Sequence, residues 1–241
     1  MPRLEALLAL ALIGVYVLDS AHFLSIGDAV LSSRRARLRQ VSFGWPFELA
    51  GRRPYLPNPL TPFWPELRIQ WTSRLLSSTK PEVATAEMQS LLTVTKPISW
   101  LAAVAGFFSV LLAPLALAFG NETLFVASAG VSFALALTAC CMLGIRRKAL
   151  GLRWPQVITM SLVALLCLPC ATNLGRAVSR HHCWTLAASD IPALGFNVGQ
   201  GGLIKYRVSA FLSEVRRLFP EDTAEYGALT SQMQLLERPR R

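Results

Sequence analysis

Three long apolar runs without a charged residue lie in the middle of the chain. They cover residues 97–121, 123–145 and 154–175, which hold 25, 23 and 22 residues. A helix needs about 20 residues to cross a hydrocarbon core of about 30 Å, so each run is long enough. A helix also satisfies its own backbone hydrogen bonds within lipid. The pattern therefore predicts an integral membrane protein with helical spans near 97–119, 123–145 and 155–174.

A shorter apolar run at the N-terminus predicts a fourth span near residues 4–24. There, 13 uncharged residues separate Glu5 from Asp19, and further apolar residues up to Ile26 extend the run. The same length suits the hydrophobic region of a cleavable signal peptide, which would leave three spans. We favour an uncleaved anchor, because an acidic residue follows the basic start at once and Asp19 precedes the small residues.

The distribution of positive charge predicts which side of the membrane each loop faces. The net charge is +10, and residues 25–96 hold ten Lys and Arg against five Asp and Glu. The link 146–153 holds four basic residues and no acidic one. Basic loops next to spans favour the cytoplasmic side, so both segments are expected inside and the turn at Asn121 outside. We expect no nucleic-acid partner, because the basic residues flank the spans and no recognition motif appears.

The composition agrees with a membrane protein, and the soluble pieces carry weaker patterns. Hydrophobic residues make up 53% and charged residues 16% of the chain, below the quarter that is usual in soluble domains. Alternation in Leu67–Trp71 predicts a short strand, and prolines within 54–65 predict an extended loop. Apolar residues at helical spacing from Val208 to Leu218 and from Tyr226 to Leu236 predict a helical hairpin.

These patterns together predict an all-α transmembrane helical bundle of about four spans. A small β-rich juxtamembrane segment and a C-terminal amphipathic helical hairpin accompany the bundle. The expected parts are an N-terminal anchor at 1–24, a basic cytoplasmic segment at 25–96, a three-span bundle at 97–175 and a helical tail at 176–241. The basic segment is expected to contain short strands, the Pro-rich loop and one helix.

A row of small residues recurs every four positions along the third predicted span. It consists of Ser128, Ser132, Ala136, Cys140 and Gly144. Small side chains let a neighbouring helix backbone approach closely, which favours helix packing in lipid. The row therefore predicts the packing face of this span.

Two cysteines near the end of the last predicted span have the spacing of redox dithiols. Cys167 and Cys170 enclose Leu and Pro169, as in Cys-x-x-Cys motifs. Free cysteines are also common small fillers of apolar helices, so packing is the competing interpretation. The neighbouring His181-His182-Cys183 lacks a matching ligand cluster elsewhere, and we predict neither a metal nor a cofactor.

Asp19 and His22 lie three residues apart on one face of the first predicted span. Ionisable residues within a membrane are functional candidates, for example in a proton relay. If the span ends near Leu18, both side chains lie among the lipid headgroups instead. Pro114, which should kink the second span, is the only other feature that favours a transport pathway.

No catalytic arrangement stands out, so the sequence favours a non-enzymatic scaffold or regulatory membrane component of unknown specific function. The alternatives are a membrane thiol oxidoreductase using Cys167 and Cys170, and a small transporter or proton-coupled membrane protein using Asp19 and His22. The expected partners are the lipid bilayer and a protein, or a second copy of the chain, bound through 25–96 or the C-terminal hairpin. The expected location is a cell membrane, as a multi-pass protein, with the bacterial inner membrane favoured.

Overall fold

The computed structural model describes residues 4–25, 27–35, 38–72, 80–187 and 198–237. The helices are α1 Leu4–Ser20, α2 Pro81–Gly106, α3 Ala113–Ala118, α4 Glu122–Arg146, α5 Trp154–Leu166, α6 Leu168–Ala171, α7 Leu174–His181, α8 Val198–Arg216 and α9 Ala224–Glu237. A π-helical segment, Phe107–Leu112, joins α2 to α3. The strands are β1 His22–Leu24, β2 Asp28–Arg35, β3 Leu38–Ser42, β4 Arg53–Tyr55, β5 Glu66–Thr72 and β6 Cys183–Ala187.

The fold class is mixed α/β, and the prediction of an all-α bundle with four spans is wrong. Strands β3, β2, β5 and β6 form a four-stranded sheet, and β1 pairs with β4 in a two-stranded one. Among the described residues, two helical stretches are long and apolar enough to cross a membrane, Glu82–Ala118 and Glu122–Arg146. The other apolar helices, α1 and α5, fall short of that length.

The first predicted span is shorter than expected because the chain changes conformation after α1. The helix ends at Ser20, and Phe23 and Leu24 belong to strand β1. The predicted extension through these two residues is therefore wrong, and Ile26 lies outside the described residues. Apolar β-forming residues at the end of a helical run do not distinguish a longer helix from a following strand.

The fourth predicted span is interrupted in its second half. Helix α5 has 13 residues and ends before Cys167, whose backbone is not helical, at φ −129° and ψ 88°. Pro169 cannot continue α5, because it lacks an N–H and its ring would crowd the carbonyl of Leu165. A helix of that length covers about 20 Å, less than a hydrocarbon core of about 30 Å.

The chain divides into two compact units, and the first contains most of the apolar helices. Unit 1 comprises residues 1–22, 55–65 and 90–181. Many of its buried positions carry small side chains, although Ile98, Leu143 and Leu150 are buried as well, and many large apolar side chains are exposed. The exposed ones include Leu8, Ile13, Val104, Phe107, Leu111, Leu115, Val126, Phe133, Leu137, Ile158, Leu162 and Leu166.

The π-helical segment explains how α2 and α3 continue past a proline. At its end, the N–H of Ala113 donates to the carbonyl of Phe108, five residues earlier. Pro114 follows directly, and in a regular α-helix its ring would clash with the carbonyl of Val110. The wider π-turn lies where the sequence predicts a kink, and such segments are frequent at functional sites.

Unit 2 comprises residues 23–54, 66–89 and 182–241 and is built on the four-stranded sheet. Strand β2 is antiparallel to β3 and β5, while β6 runs parallel to β5. In β5, buried Leu67 and Ile69 alternate with half-buried Arg68 and exposed Gln70, as the period of two predicts, although Glu66 at the start of the strand is also buried. The buried side of α8 carries Ile204, Val208 and Leu212.

Candidate functional site

A buried polar cluster in unit 1 joins the end of α1 to the beginning of α7. Asn173 is 1% exposed, and its Nδ2 donates to Asp19 Oδ2 at 2.8 Å and to Ser20 Oγ at 2.9 Å. The Ser20 hydroxyl in turn donates to the carbonyl of Tyr16 at 2.9 Å. These bonds satisfy polar atoms that would otherwise be buried at a high free-energy cost.

Arg176 extends this cluster to the Pro-rich loop. Its side chain is 1% exposed, and Nη2 donates to the carbonyls of Asn58 and Thr61, both at 2.8 Å. The Tyr16 hydroxyl also donates to the carbonyl of Pro59 in this loop, at 2.6 Å. A buried guanidinium is stabilised only when polar partners replace its lost water, and the loop carbonyls supply such partners.

Asp19 and His22 lie in this one cluster but have different hydrogen-bond partners. Asp19 accepts from Asn173, whereas Nδ1 of His22 lies 3.1 Å from Nη1 of Arg180. A hydrogen bond from this guanidinium needs Nδ1 without a proton, whereas a bond from Nδ1 to the Ser20 carbonyl, 3.3 Å away, needs Nδ1 with one. Arg180 Nη1 also donates to the carbonyl of Ser20 at 3.3 Å. The proton-relay interpretation of Asp19 and His22 stays a prediction.

The two cysteines of the predicted redox pair are joined by a disulfide. Cys167 and Cys170 have their Cα atoms 5.2 Å apart, and Pro169 lies between them in α6. Both cysteines are half-buried at the junction of α5 and α6. The backbone N–H of Asn173 donates to the carbonyl of Cys170 at 3.0 Å, so the disulfide adjoins the polar cluster.

The small-residue row of α4 lies mostly inside unit 1. Ser128, Ser132, Ala136 and Cys140 are buried, whereas Gly144 is half-buried and a side chain there would meet no atom within 4 Å. Ser132 Oγ donates to the carbonyl of Ala105 in α2 at 3.0 Å, a bond between the two candidate spans. The row as a membrane packing motif remains a prediction.

Sequence reasoning missed the central members of the polar cluster, which are Ser20, Asn173, Arg176 and Arg180. Asn173 lies 153 residues from Ser20 in the sequence, so no local pattern relates them. One signal was present: Asn173, Arg176 and Arg180 recur at helical spacing at the end of the apolar run 154–175. Polar residues in such a position are functional candidates.

The three residues of the His181-His182-Cys183 segment have different surroundings. His181 belongs to unit 1, and His182 and Cys183 belong to unit 2. His181 and Cys183 are exposed, and the His182 ring stacks on Trp184 with centroids 5.9 Å apart. Partial burial raises the pKa of the Cys183 thiol, an effect that nearby Arg68 opposes and Asp28 reinforces. Within the described part of the chain, no three His, Cys, Asp or Glu residues are grouped to hold a metal ion.

Comparison of the chain with models of protein families, with curated proteins and with solved structures found no match. The functional interpretation therefore depends on the surface of unit 1, the disulfide, the polar cluster and the exposed surface of unit 2.

Proposed function

We propose that this chain is an integral membrane protein in which Glu82–Ala118 and Glu122–Arg146 cross the bilayer. The supporting observation is how little of these stretches is buried. In their most apolar windows of 18 residues, 39% and 28% of the residues are buried. The core helix of a soluble protein would be mostly buried, whereas a spanning helix exposes apolar side chains to lipid.

The charges after α4 support an orientation for the two crossing helices. Arg146 donates from Nη1 to the carbonyl of Val94 at 3.1 Å, and Arg147 lies 4.5 Å from the centroid of Trp154. Lys148 next to them is exposed. Tryptophan is typical of either membrane interface, and basic residues are typical of the cytoplasmic one, so this end faces the cytoplasm. In a bacterium, the membrane is the inner one.

The proposed role is that of a non-enzymatic scaffold or regulatory component that binds a partner protein through residues 25–96. The loop between β3 and β4 supports this role because it exposes three large apolar side chains. Trp45, Phe47 and Leu49 are 48%, 47% and 53% exposed. Exposed aromatic residues of this kind are enriched at the centres of protein interfaces.

Local contacts hold this loop in one shape. Leu49 and Arg52 exchange backbone hydrogen bonds of 2.8 and 3.0 Å across a tight turn. Arg53 donates to Glu48 Oε1 at 2.6 Å from Nη2 and at 3.0 Å from Nε. Gly51 has φ +72°, which a residue with a side chain would adopt only with strain. A loop fixed in this way loses little conformational entropy on binding.

Affinity purification of the full chain in mild detergent tests the scaffold role. We expect a stoichiometric partner protein with the natural chain and its loss from the variant Trp45→Ser/Phe47→Ser/Leu49→Ser. The control, Leu218→Ser/Phe219→Ser, removes exposed apolar side chains of unit 2 outside residues 25–96 and should keep the partner. A chain that purifies alone, or a partner that both variants retain, contradicts this role.

Thiol–disulfide exchange is a second candidate function, and the Cys167–Cys170 disulfide is the observation that favours it. The two cysteines are three positions apart in sequence, so their disulfide closes a very short loop. A disulfide stabilises a fold less when the loop that it closes is shorter. For this loop the chain-entropy relation gives about 2 kcal/mol, at the low end for disulfides. A bond with this limited structural benefit suits reversible exchange.

The reaction in this case is the oxidation of the reduced pair by the disulfide of a partner protein. One thiolate attacks a partner sulfur and releases one partner thiolate, which gives a mixed disulfide. The second cysteine of the pair then displaces the other partner sulfur and closes Cys167–Cys170. Two electrons and two protons move to the partner, which leaves with two thiols.

Thiol trapping in cells, with and without added reductant, tests the redox candidate. We expect the pair to change oxidation state, and Cys170→Ser to accumulate a mixed disulfide that Cys141→Ser does not form. If the pair stays oxidised in both conditions and Cys167→Ser/Cys170→Ser has no phenotype, the disulfide has only a structural role.

A further inference from the structure

Unit 1 contains a cavity of about 660 Å³ between α1, the Pro-rich loop and the α2–π-helical region. Its volume is within the range of about 300–1,000 Å³ that is usual for small-molecule sites. Its lining is apolar except for the hydroxyls of Tyr16 and Thr172 and the indole N–H of Trp100. We propose that this cavity binds a neutral lipid with one long hydrocarbon chain and a small uncharged polar group that bonds to Thr172.

Thr172 is a buried polar group of the cavity that lacks a hydrogen-bond partner. Its side chain is 2% exposed, and Oγ1 has no hydrogen-bond partner among the described residues. The carbonyl four residues earlier, at Leu168, accepts from Ser109 Oγ at 3.4 Å. The Tyr16 hydroxyl already donates to Pro59. A buried hydroxyl without a partner is costly, and rotation about Cα–Cβ can present it to a ligand.

The cavity wall is built around this threonine. A Cβ on Gly106 would lie 2.5 Å from Thr172 Oγ1 and 3.0 Å from Thr172 Cβ, so only glycine leaves the necessary space. Gly106 directly precedes the π-helical segment. Farther along the wall, the rings of Phe63 and Trp100 stack with centroids 5.0 Å apart and an angle of 12°. These contacts form the cavity before any ligand binds.

The charge of the lining decides which ligands fit. None of the described residues that line the cavity is Asp, Glu, Lys or Arg. The Nη2 atom of Arg176 is engaged by the carbonyls of Asn58 and Thr61. A phosphate or ammonium headgroup would therefore enter without a counter-charge, at a high desolvation cost. An alcohol or carbonyl group needs one hydrogen bond, which Thr172 can provide.

The proposal rests on the membrane location of unit 1, since a lipid reaches the cavity from the bilayer. The test uses the full chain in phosphatidylcholine nanodiscs with a hexadecanol probe that carries a diazirine near the middle of its chain. After illumination, we expect labelled peptides from the cavity wall at Val104, Phe107 and Leu111, and competition by unlabelled hexadecanol. Equal labelling of Phe133 and Leu137 on α4 without competition would mean bulk lipid only and overturn the proposal.

Three variants make the test specific. Ala103→Trp fills the cavity and should abolish the competed labelling, whereas Ala134→Trp on the exposed side of α4 should leave it unchanged. Thr172→Val keeps the shape of the side chain and should weaken competition by hexadecanol by about 3- to 10-fold. A purely structural hydroxyl would leave competition unchanged, and that result overturns the polar contact.

Incorporation into nanodiscs is measured separately from labelling, so a wrong membrane location and a wrong lipid site give different results. A chain that stays in aqueous solution refutes the membrane location. A chain that incorporates but shows no competed labelling refutes the lipid site alone.

Discussion

Gly175 of α7 packs so closely on Ser99 of α2 that no side chain fits between the two helices. A Cβ on Gly175 would lie 2.8 Å from Ser99 Cβ and 2.9 Å from Ser99 Cα. Atoms at that distance overlap, and Ser99 Cα cannot move without moving its helix. The contact thus fixes α7, which carries Arg176 and Arg180, against one of the two candidate spans.

We predict that Gly175→Ala lowers the free energy of unfolding by about 1–3 kcal/mol, because the added methyl group overpacks this contact. The control is Gly130→Ala in α4, where a Cβ would meet nothing within 4 Å. This change should stabilise the helix by up to about 1 kcal/mol. Unfolding titrations in mixed detergent micelles measure both values, and equal effects would contradict the close contact.

Asn173→Ala should destabilise unit 1 by about 2–4 kcal/mol, because it leaves Asp19 and Ser20 without their amide partner. Asn121→Ala is the matched control at an exposed position. There the side chain accepts from Leu124 N at 3.0 Å and caps α4, which is worth about 1 kcal/mol. If thermal unfolding shows the larger loss for Asn121→Ala, the polar cluster does not form.

The small-residue row gives a prediction on helix packing. Ala136→Leu places three extra carbons at a buried position of α4, so it should cost about 1–3 kcal/mol of unfolding free energy. Ala134→Leu, two residues away and exposed, should be within about 0.5 kcal/mol of the natural chain. Similar losses in both variants would show that the row does not face the interior.

The alkylation of Cys183 should depend on pH in a direction set by its neighbours. Partial burial raises the pKa of this thiol, so the reactive thiolate should form at a higher pH than in an unfolded peptide. Asp28→Asn removes a charge that raises this pKa, and the midpoint of the rate should shift to lower pH. Arg68→Gln removes an opposing charge, so its midpoint should shift upward. Iodoacetamide rates in a chain without other reactive cysteines measure these shifts, and opposite directions contradict the arrangement.

The sequence predicted the apolar character of α3, of α4 and of α2 from Pro97 onward, because run length and local charge determine it. Strand β2 was missed, because its arginines were interpreted only as a basic flank of the first span. The ends of α1 and α5 were predicted wrongly, because hydropathy alone does not reveal the strand that contains Phe23 or the end of the helix before Cys167. The polar cluster depends on contacts between residues far apart in sequence, which a single sequence does not show.

The central claim is that Glu82–Ala118 and Glu122–Arg146 cross the membrane as a pair, joined at Gly120-Asn121. The most direct measurement is labelling of Asn121→Cys and Lys148→Cys in intact cells with a membrane-impermeant maleimide, in a background without other reactive cysteines. The account predicts that Asn121→Cys reacts in intact cells and that Lys148→Cys reacts only after the membrane is opened. Reaction of both positions from the same side would contradict the crossing.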